Sequence, residues 1–325
     1  MRLLTCLIAA GMFAVAAIPA GAATVSYGEA FDTLYRIDLE TRTASPIGSA
    51  GFLGSQRIGN ISGLTLLGDG SAYAVSGSLK ALLRINLSSG SSQVIGNLGL
   101  SDQGSGQFDA LDLGMTSDCD DVLWLVSGTL QQLWRVDPAS GTPTLVGSTG
   151  HSISGLVADG DALYGTGGDG DHTLYRVNKS DASATAIGSF GTEAPAALNS
   201  VSMSFAEDGT LWAVLNYVPP ASGSVTPDWS DLAVIDPETG RMTLKGPITG
   251  PEALRQVGMK GFATSTRQCP AGSAPVAAPV VSIWGLLALC MLLPAAVFFR
   301  QRELRECELS RRLNRGRASV PLARA

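Results

Sequence analysis

Apolar and polar residues alternate with period two along most of residues 24–266, in short runs broken by Gly, Asn, Asp and Ser. That period is the signature of half-buried strands joined by tight turns. One run recurs as Leu34-Tyr35-Arg36-Ile37-Asp38, Leu82-Leu83-Arg84-Ile85-Asn86, Leu133-Trp134-Arg135-Val136-Asp137, Leu174-Tyr175-Arg176-Val177-Asn178 and Leu232-Ala233-Val234-Ile235-Asp236. A turn and a short strand ending in Gly follow each copy, at Gly48, Gly96, Gly147, Gly188 and Gly246. A second, aromatic run lies upstream of each later copy: Ala72-Tyr73-Ala74-Val75, Leu123-Trp124-Leu125-Val126, Leu163-Tyr164-Gly165-Thr166 and Leu211-Trp212-Ala213-Val214. A third pattern, a small residue followed by Leu or Met, starts each unit at Gly63, Gly114, Gly155, Ser202 and Gly258, with intervals of 41–56 residues.

Four short strands per unit at that period predict propeller blades. A small residue on the first strand suits the crowded axis, and aromatics on the next strand fill the wedge between blades. Val25–Arg36 matches Tyr73–Arg84 in length, so the mature chain begins on a second strand. Val257–Phe262 supplies an innermost strand with nothing after it. The expectation is an all-β, five-bladed β-propeller over residues 24–268, closed by pairing the N- and C-terminal strands so that no ring edge stays open. Six blades is the fallback count, with a further unit in 198–249. The repeat resembles that of a broad group of secreted bacterial propellers, which implies architecture and not activity.

Both ends of the chain read as addresses. Arg2, the apolar stretch Leu3–Ile18 and the small residues up to Ala23 predict a signal peptide over 1–23. Residues 269–279 are rich in Pro, Ala and Gly and predict a flexible stalk. Residues 280–299 carry no charge and are long enough to span a membrane as one C-terminal transmembrane helix. A basic tail, 300–325, follows with Arg300 and Arg302 at its start, so the tail is expected in the cytoplasm and the body across the membrane. Pro279, Ser282, Trp284 and Gly285 stand in the register of the IPTL-CTERM sorting signal of Gram-negative bacteria, which this segment resembles. The resemblance implies an exosortase-like processing enzyme as partner. It implies an inner-membrane precursor with a periplasmic body, then a cell-surface or extracellular product. The cut is expected within about five residues of Pro279.

Composition narrows the function classes. Charged residues are only 15% and Gly numbers 39, which suits strands and turns rather than charged helices. The net charge is −6; eight Arg and three Glu in 300–325, together with Arg2, leave −12 on residues 24–299. An acidic body argues against nucleic acid as a partner. Two His exclude a multi-histidine metal site, and no nucleophile elbow, Walker loop or zincin motif is present. His151 and His172 fall at a strand start and a loop and read as structural. Asp109 and Asp112 precede an innermost strand, where a propeller glycosidase would hold a carboxylate, but matching positions in other blades carry none. No catalytic residue is assigned. The clusters Asp118, Asp120, Asp121 and Asp159, Asp161, Asp169, Asp171 have the residue types calcium takes, yet read better as turns; no cofactor is expected. Arg36, Arg84, Arg135 and Arg176 read as a solvated strand face.

Two local expectations remain. Cys119 and Cys269 are the thiols that reach an oxidising compartment, and a disulfide between them is expected. The insertion from Tyr217 to Asp231 offers Tyr217 and Trp229 as an aromatic platform for a ligand. The expected function is a non-enzymatic cell-surface or extracellular binding module for an unknown glycan or protein. A hydrolase or lyase on an extracellular polymer and a structural matrix component are the alternatives.

Overall fold

In a computed structural model, the repeated run becomes the third strand of each blade, and its alternation sets what each residue touches. The structure describes residues 25–168, 170–196, 198–217, 230–252, 254 and 258–264, all within one unit, Met1–Ser273. Five four-stranded antiparallel sheets form the blades. Blade 1 holds β1 (Ser26–Ala30), β2 (Thr33–Asp38) and β3 (Thr43–Ser49), with β22 (Met259–Thr264) as its innermost strand. A two-stranded hairpin, β4 (Phe52–Leu53) and β5 (Gln56–Arg57), precedes blade 2. Blade 2 is β6 (Ile61–Leu66), β7 (Ala72–Ser76), β8 (Ala81–Ile85) and β9 (Ser92–Asn97). Blade 3 is β10 (Leu113–Ser117), β11 (Leu123–Ser127), β12 (Gln132–Val136) and β13 (Pro143–Ser148). Blade 4 is β14 (Ile153–Asp159), β15 (Ala162–Gly167), β16 (Thr173–Val177) and β17 (Ala184–Ser189). Blade 5 is β18 (Leu198–Phe205), β19 (Leu211–Tyr217), β20 (Ser230–Ile235) and β21 (Met242–Pro247). The protein is thus an all-β, five-bladed propeller, and the six-blade alternative is excluded among the described residues.

The core is five wedges, one between each pair of neighbouring blades. In each third strand the Leu (34, 82, 133, 174, 232) is 0% exposed and faces the following blade. The next residue (Tyr35, Leu83, Trp134, Tyr175, Ala233) faces the preceding one. Successive strand residues point to opposite sheet faces, so one dipeptide packs both sides of a blade. The following Arg36, Arg84, Arg135 and Arg176 are exposed, as expected. The terminal Asp38, Asn86, Asp137, Asn178 and Asp236 each accept a backbone N–H two residues on, at 2.8–3.0 Å, which closes the turn.

The recurring Gly of the fourth strand has a packing reason. A Cβ on Gly48, Gly96, Gly147 or Gly188 would lie 2.0, 1.8, 2.5 or 2.1 Å from a carbonyl oxygen in the next blade's turn. The small residue of the first strand behaves likewise: a Cβ on Gly114 would meet Ser154 O at 2.4 Å, and on Gly155 Val201 O at 2.0 Å. Innermost strands therefore touch backbone to backbone around the axis.

Closure occurs as expected, β1 pairing with β22, but two registers differ from the sequence reading. Tyr27, not Val25, pairs with Arg36 as Tyr73 pairs with Arg84, because the first hairpin turns tightly through Phe31 (φ 57°) and is two residues shorter. The small residue of the clasp strand is Gly261, opposite Glu29, rather than Gly258; a β-bulge shifts the register there. The signal segment, Cys269, the stalk, the span 280–299, the basic tail and the sorting residues Pro279, Ser282, Trp284, Gly285, Arg300 and Arg302 lie outside the described residues. No helix among the described residues is long and apolar enough to cross a membrane.

Candidate functional site

The two faces of the ring differ. On one, the turns 38–43, 85–92, 136–143, 177–184 and 235–242 are short and closed by their own Asp or Asn side chains. On the other, the innermost strands begin, the second strands end, and longer segments join the blades: 50–60, 98–112, 190–197 and 248–258. Six large apolar side chains are exposed among the described residues. Four of them lie on this loop face: Phe31 (40%), Phe52 (66%), Leu53 (52%) and Phe108 (80%). The other two, Leu145 and Leu244, sit on outermost strands.

The exposed aromatics are held by polar networks. Asp32, buried at 4% exposure, accepts hydrogen bonds from Arg57 Nε (2.6 Å), Ser49 Oγ (3.0 Å) and Thr33 Oγ1 (3.1 Å). Burial alone would push its carboxyl up; the hydrogen bonds from Arg57, Ser49 and Thr33 outweigh it and hold the group below its ordinary range. The Arg57 guanidinium lies 5.0 Å from the Phe31 ring centre and so fixes that ring at the surface. Farther round, Asp109 accepts the N–H groups of Gly104 (2.5 Å) and Asp102 (3.0 Å) and lies 3.4 Å from Lys80 Nζ. The Gly104 amide first, then Asp102 and Lys80, keep its carboxyl low. Asp109 thus organises the loop that displays Phe108.

At the centre of this face is a small polar mouth of about 50 Å3, lined among others by Asn60, Lys80, Asp112, Ser154, Ser200 and Lys260. Asp112 is the one carboxylate among its described lining residues. Lys80 is 5% exposed and donates to Gly77 O at 2.6 Å. The Ser154 hydroxyl is buried without a hydrogen-bond partner among the described residues. Elsewhere on this face, Tyr175 donates to Asp171 Oδ2 at 2.6 Å and lies 3.2 Å from His151 Nδ1. Burial first, then Asp171, push the Tyr175 hydroxyl up to about 12.

Tyr217 is 3% exposed and donates to Asp231 Oδ2 at 2.6 Å, so it is a core residue and not an aromatic platform. Burial and Asp231 push its hydroxyl far above the ordinary range. Trp229 lies outside the described residues. Cys119 is disulfide-bonded, while Cys269 lies outside the described residues. Asp118 is occupied by Trp124 Nε1 (2.8 Å), Lys179 Nζ (2.9 Å) and the Val122 amide (3.1 Å). No group of three His, Cys, Asp or Glu among the described residues is arranged to hold a metal ion.

One unusual residue was not singled out from sequence. Glu29 is 0% exposed, and neither carboxyl oxygen has a hydrogen-bond partner among the described residues. Burial first, and Asp32 second, push its pKa up to about 8. It occupies the second-strand position that holds Val75, Val126, Thr166 and Val214 in the other blades. The signal was legible as that departure from the repeat.

No protein-family model matches the chain, and no curated protein matches it. Among solved structures, a protein of unknown function from Bacteroides thetaiotaomicron is 18% identical, with a TM-score of 0.43 over 58% of this chain and 53% of its own. This chain therefore spans about half the length of that protein. A structure of a nidogen/laminin complex is 14% identical, with a TM-score of 0.46 over 76% of this chain and 100% of that one. A virginiamycin B lyase from Staphylococcus aureus is 16% identical, with a TM-score of 0.38 over 67% of this chain and 64% of its own. These likenesses are too distant to carry an argument about activity.

Proposed function

We propose that this protein is an exported, membrane-sorted binding module that engages a protein or glycan through its loop face. The observation that supports this reading is the one-sided display of Phe31, Phe52, Leu53 and Phe108 around a polar mouth. Exposed aromatics on ordered loops supply contact area at low entropic cost, and they recur at recognition sites. The ring beneath them is rigid because each innermost strand abuts the next. The hydrolase or lyase reading lacks a carboxylate pair at the mouth among the described residues, where Asp112 stands alone.

A peptide and glycan array probed with residues 24–268 tests the proposal. The triple variant Phe31→Ser, Phe52→Ser, Phe108→Ser should keep the parent fold and lose at least about tenfold in affinity for any hit. Hits that the triple variant retains at full strength would place recognition elsewhere.

A further inference from the structure

One junction of the ring is sealed by an indole–carboxylate–lysine trio, and a second tryptophan junction, which lacks that trio, holds a groove. Between blades 3 and 4, Trp124 is 4% exposed. Its indole N–H donates to Asp118 at 2.8 Å, and Lys179 from the next blade lies 5.7 Å from its ring centre and 2.9 Å from Asp118. That trio closes the outer part of the wedge with a lysine ammonium on an indole, paired to a carboxylate.

Between blades 5 and 1 the same indole position holds Trp212, but its two lids are missing. Asp118 starts a turn in which Asp118 N donates to Val122 O; in blade 5 the corresponding bond runs from Ala206 N to Thr210 O. Ala206 therefore stands where Asp118 stands. Lys179 follows Asn178 at the end of the third strand, and in blade 1 Leu39 follows Asp38. Leu39 therefore stands where Lys179 stands. Blade 5 also lacks the exposed Arg of the repeat: Trp212 pairs with Val234, whereas Tyr164 pairs with Arg176 and lies 4.4 Å beneath its guanidinium. Trp212 is half-buried, and its indole N–H has no hydrogen-bond partner among the described residues. Beyond the groove the two blades are tied by backbone bonds, Ala44 N–H donating to Thr249 O at 2.7 Å and Thr249 N–H to Arg42 O at 2.8 Å, while a Cβ on Gly246 would meet only Arg42, at 3.9 Å.

The resulting groove, about 600 Å3, is lined by Arg36, Asp38, Leu39, Glu40, Asp208 and Trp212, among others. Three carboxylates against one guanidinium give it a formal charge of −2. The Thr41 amide holds Asp38, and the Thr210 amide holds Asp208, below the usual carboxylate range, so both are charged at neutral pH. We infer that this groove receives a lysine side chain of a partner protein, the ammonium resting on Trp212 among the acidic groups. The blade 3–4 junction shows the same chemistry satisfied from within. An indole face attracts an ammonium through its quadrupole, and Leu39 offers an apolar bed to the lysine stem. The groove opens among the short turns, on the face opposite the mouth, so the inference stands or falls independently of the loop-face reading.

The double variant Leu39→Lys, Ala206→Asp rebuilds the closed trio and leaves the net charge of the protein unchanged. Calorimetric titration of the full-length protein with acetylated pentalysine should show saturable binding that weakens with salt. The double variant should weaken it about tenfold or more. Trp212→Leu, a second variant that keeps an apolar filler, should lose a similar factor. Equal pentalysine binding by parent and both variants would overturn the inference, because the acidic body alone would then account for it. Binding of neutral cellopentaose without binding of pentalysine would overturn the assignment of a cation and make the groove a sugar site.

Discussion

Glu29→Val is expected to raise the stability of the propeller by about 3 kcal/mol at pH 7, with the gain growing as the pH rises. Glu29 lies in the clasp, opposite Gly261, with no hydrogen-bond partner for either oxygen among the described residues. Its ordinary pKa of 4.5 applies to the unfolded chain, and burial raises it to about 8 in the fold. The folded state thus binds this proton more tightly. The group's contribution is fully present below pH 4.5 and is lost as the pH climbs through about 8, where the cost reaches about 5 kcal/mol. Valine fits, because Val75, Val126 and Val214 fill the same position in three other blades. The variant's thermal midpoint at pH 7 should rise on the order of 6–12 °C. Denaturant titrations of parent and variant at pH 5, 7 and 8.5 check this. Parallel stabilities across that range would show that Glu29 does not carry a buried proton.

Gly155→Ala should act in the opposite direction and cost about 3 kcal/mol or more. A Cβ there would sit 2.0 Å from the Val201 carbonyl oxygen and 2.4 Å from Thr166 Oγ1. Neither can retreat easily. Val201 is 0% exposed and lies on the innermost strand of blade 5, and its carbonyl already accepts the Thr166 hydroxyl at 2.9 Å. The strain therefore passes to the contact between two blades at the axis. Gly68→Ala is the control: its Cβ would meet only the Asp121 carboxylate, at 3.3 Å or more, a contact that asks for a shift of a few tenths of an ångström while the carboxylate keeps the residue-68 amide. That variant should lose less than about 1 kcal/mol. Similar midpoints for the two alanine variants would remove the argument that inter-blade contact demands glycine.

The same contrast separates what the sequence alone settles from what the ring decides. The period-two runs, the Asp or Asn that ends each third strand, and the Gly that ends each fourth are local signals, and they specify blades. The pairing of β1 with β22 was legible as well, because an incomplete first unit and an orphan last strand complement each other. The acidic balance of the body and the exposed arginines also follow from residue order alone.

Other features depend on neighbours remote in sequence. The clasp register rests on a bulge, which no periodic pattern announces, so Gly261 rather than Gly258 meets Glu29. Tyr217 belongs to the core because Asp231 and the blade 4–5 wedge receive it, although in sequence it looks like the start of an exposed loop. Phe31, Phe52 and Phe108 are distant in the chain and share a face only once the ring closes. Trp124 and Trp212 occupy the same place in the repeat, yet one is sealed and the other open. Asp118 or Ala206 in the same blade and Lys179 or Leu39 in the following one decide that difference, and only closure of the ring brings blade 1 beside blade 5.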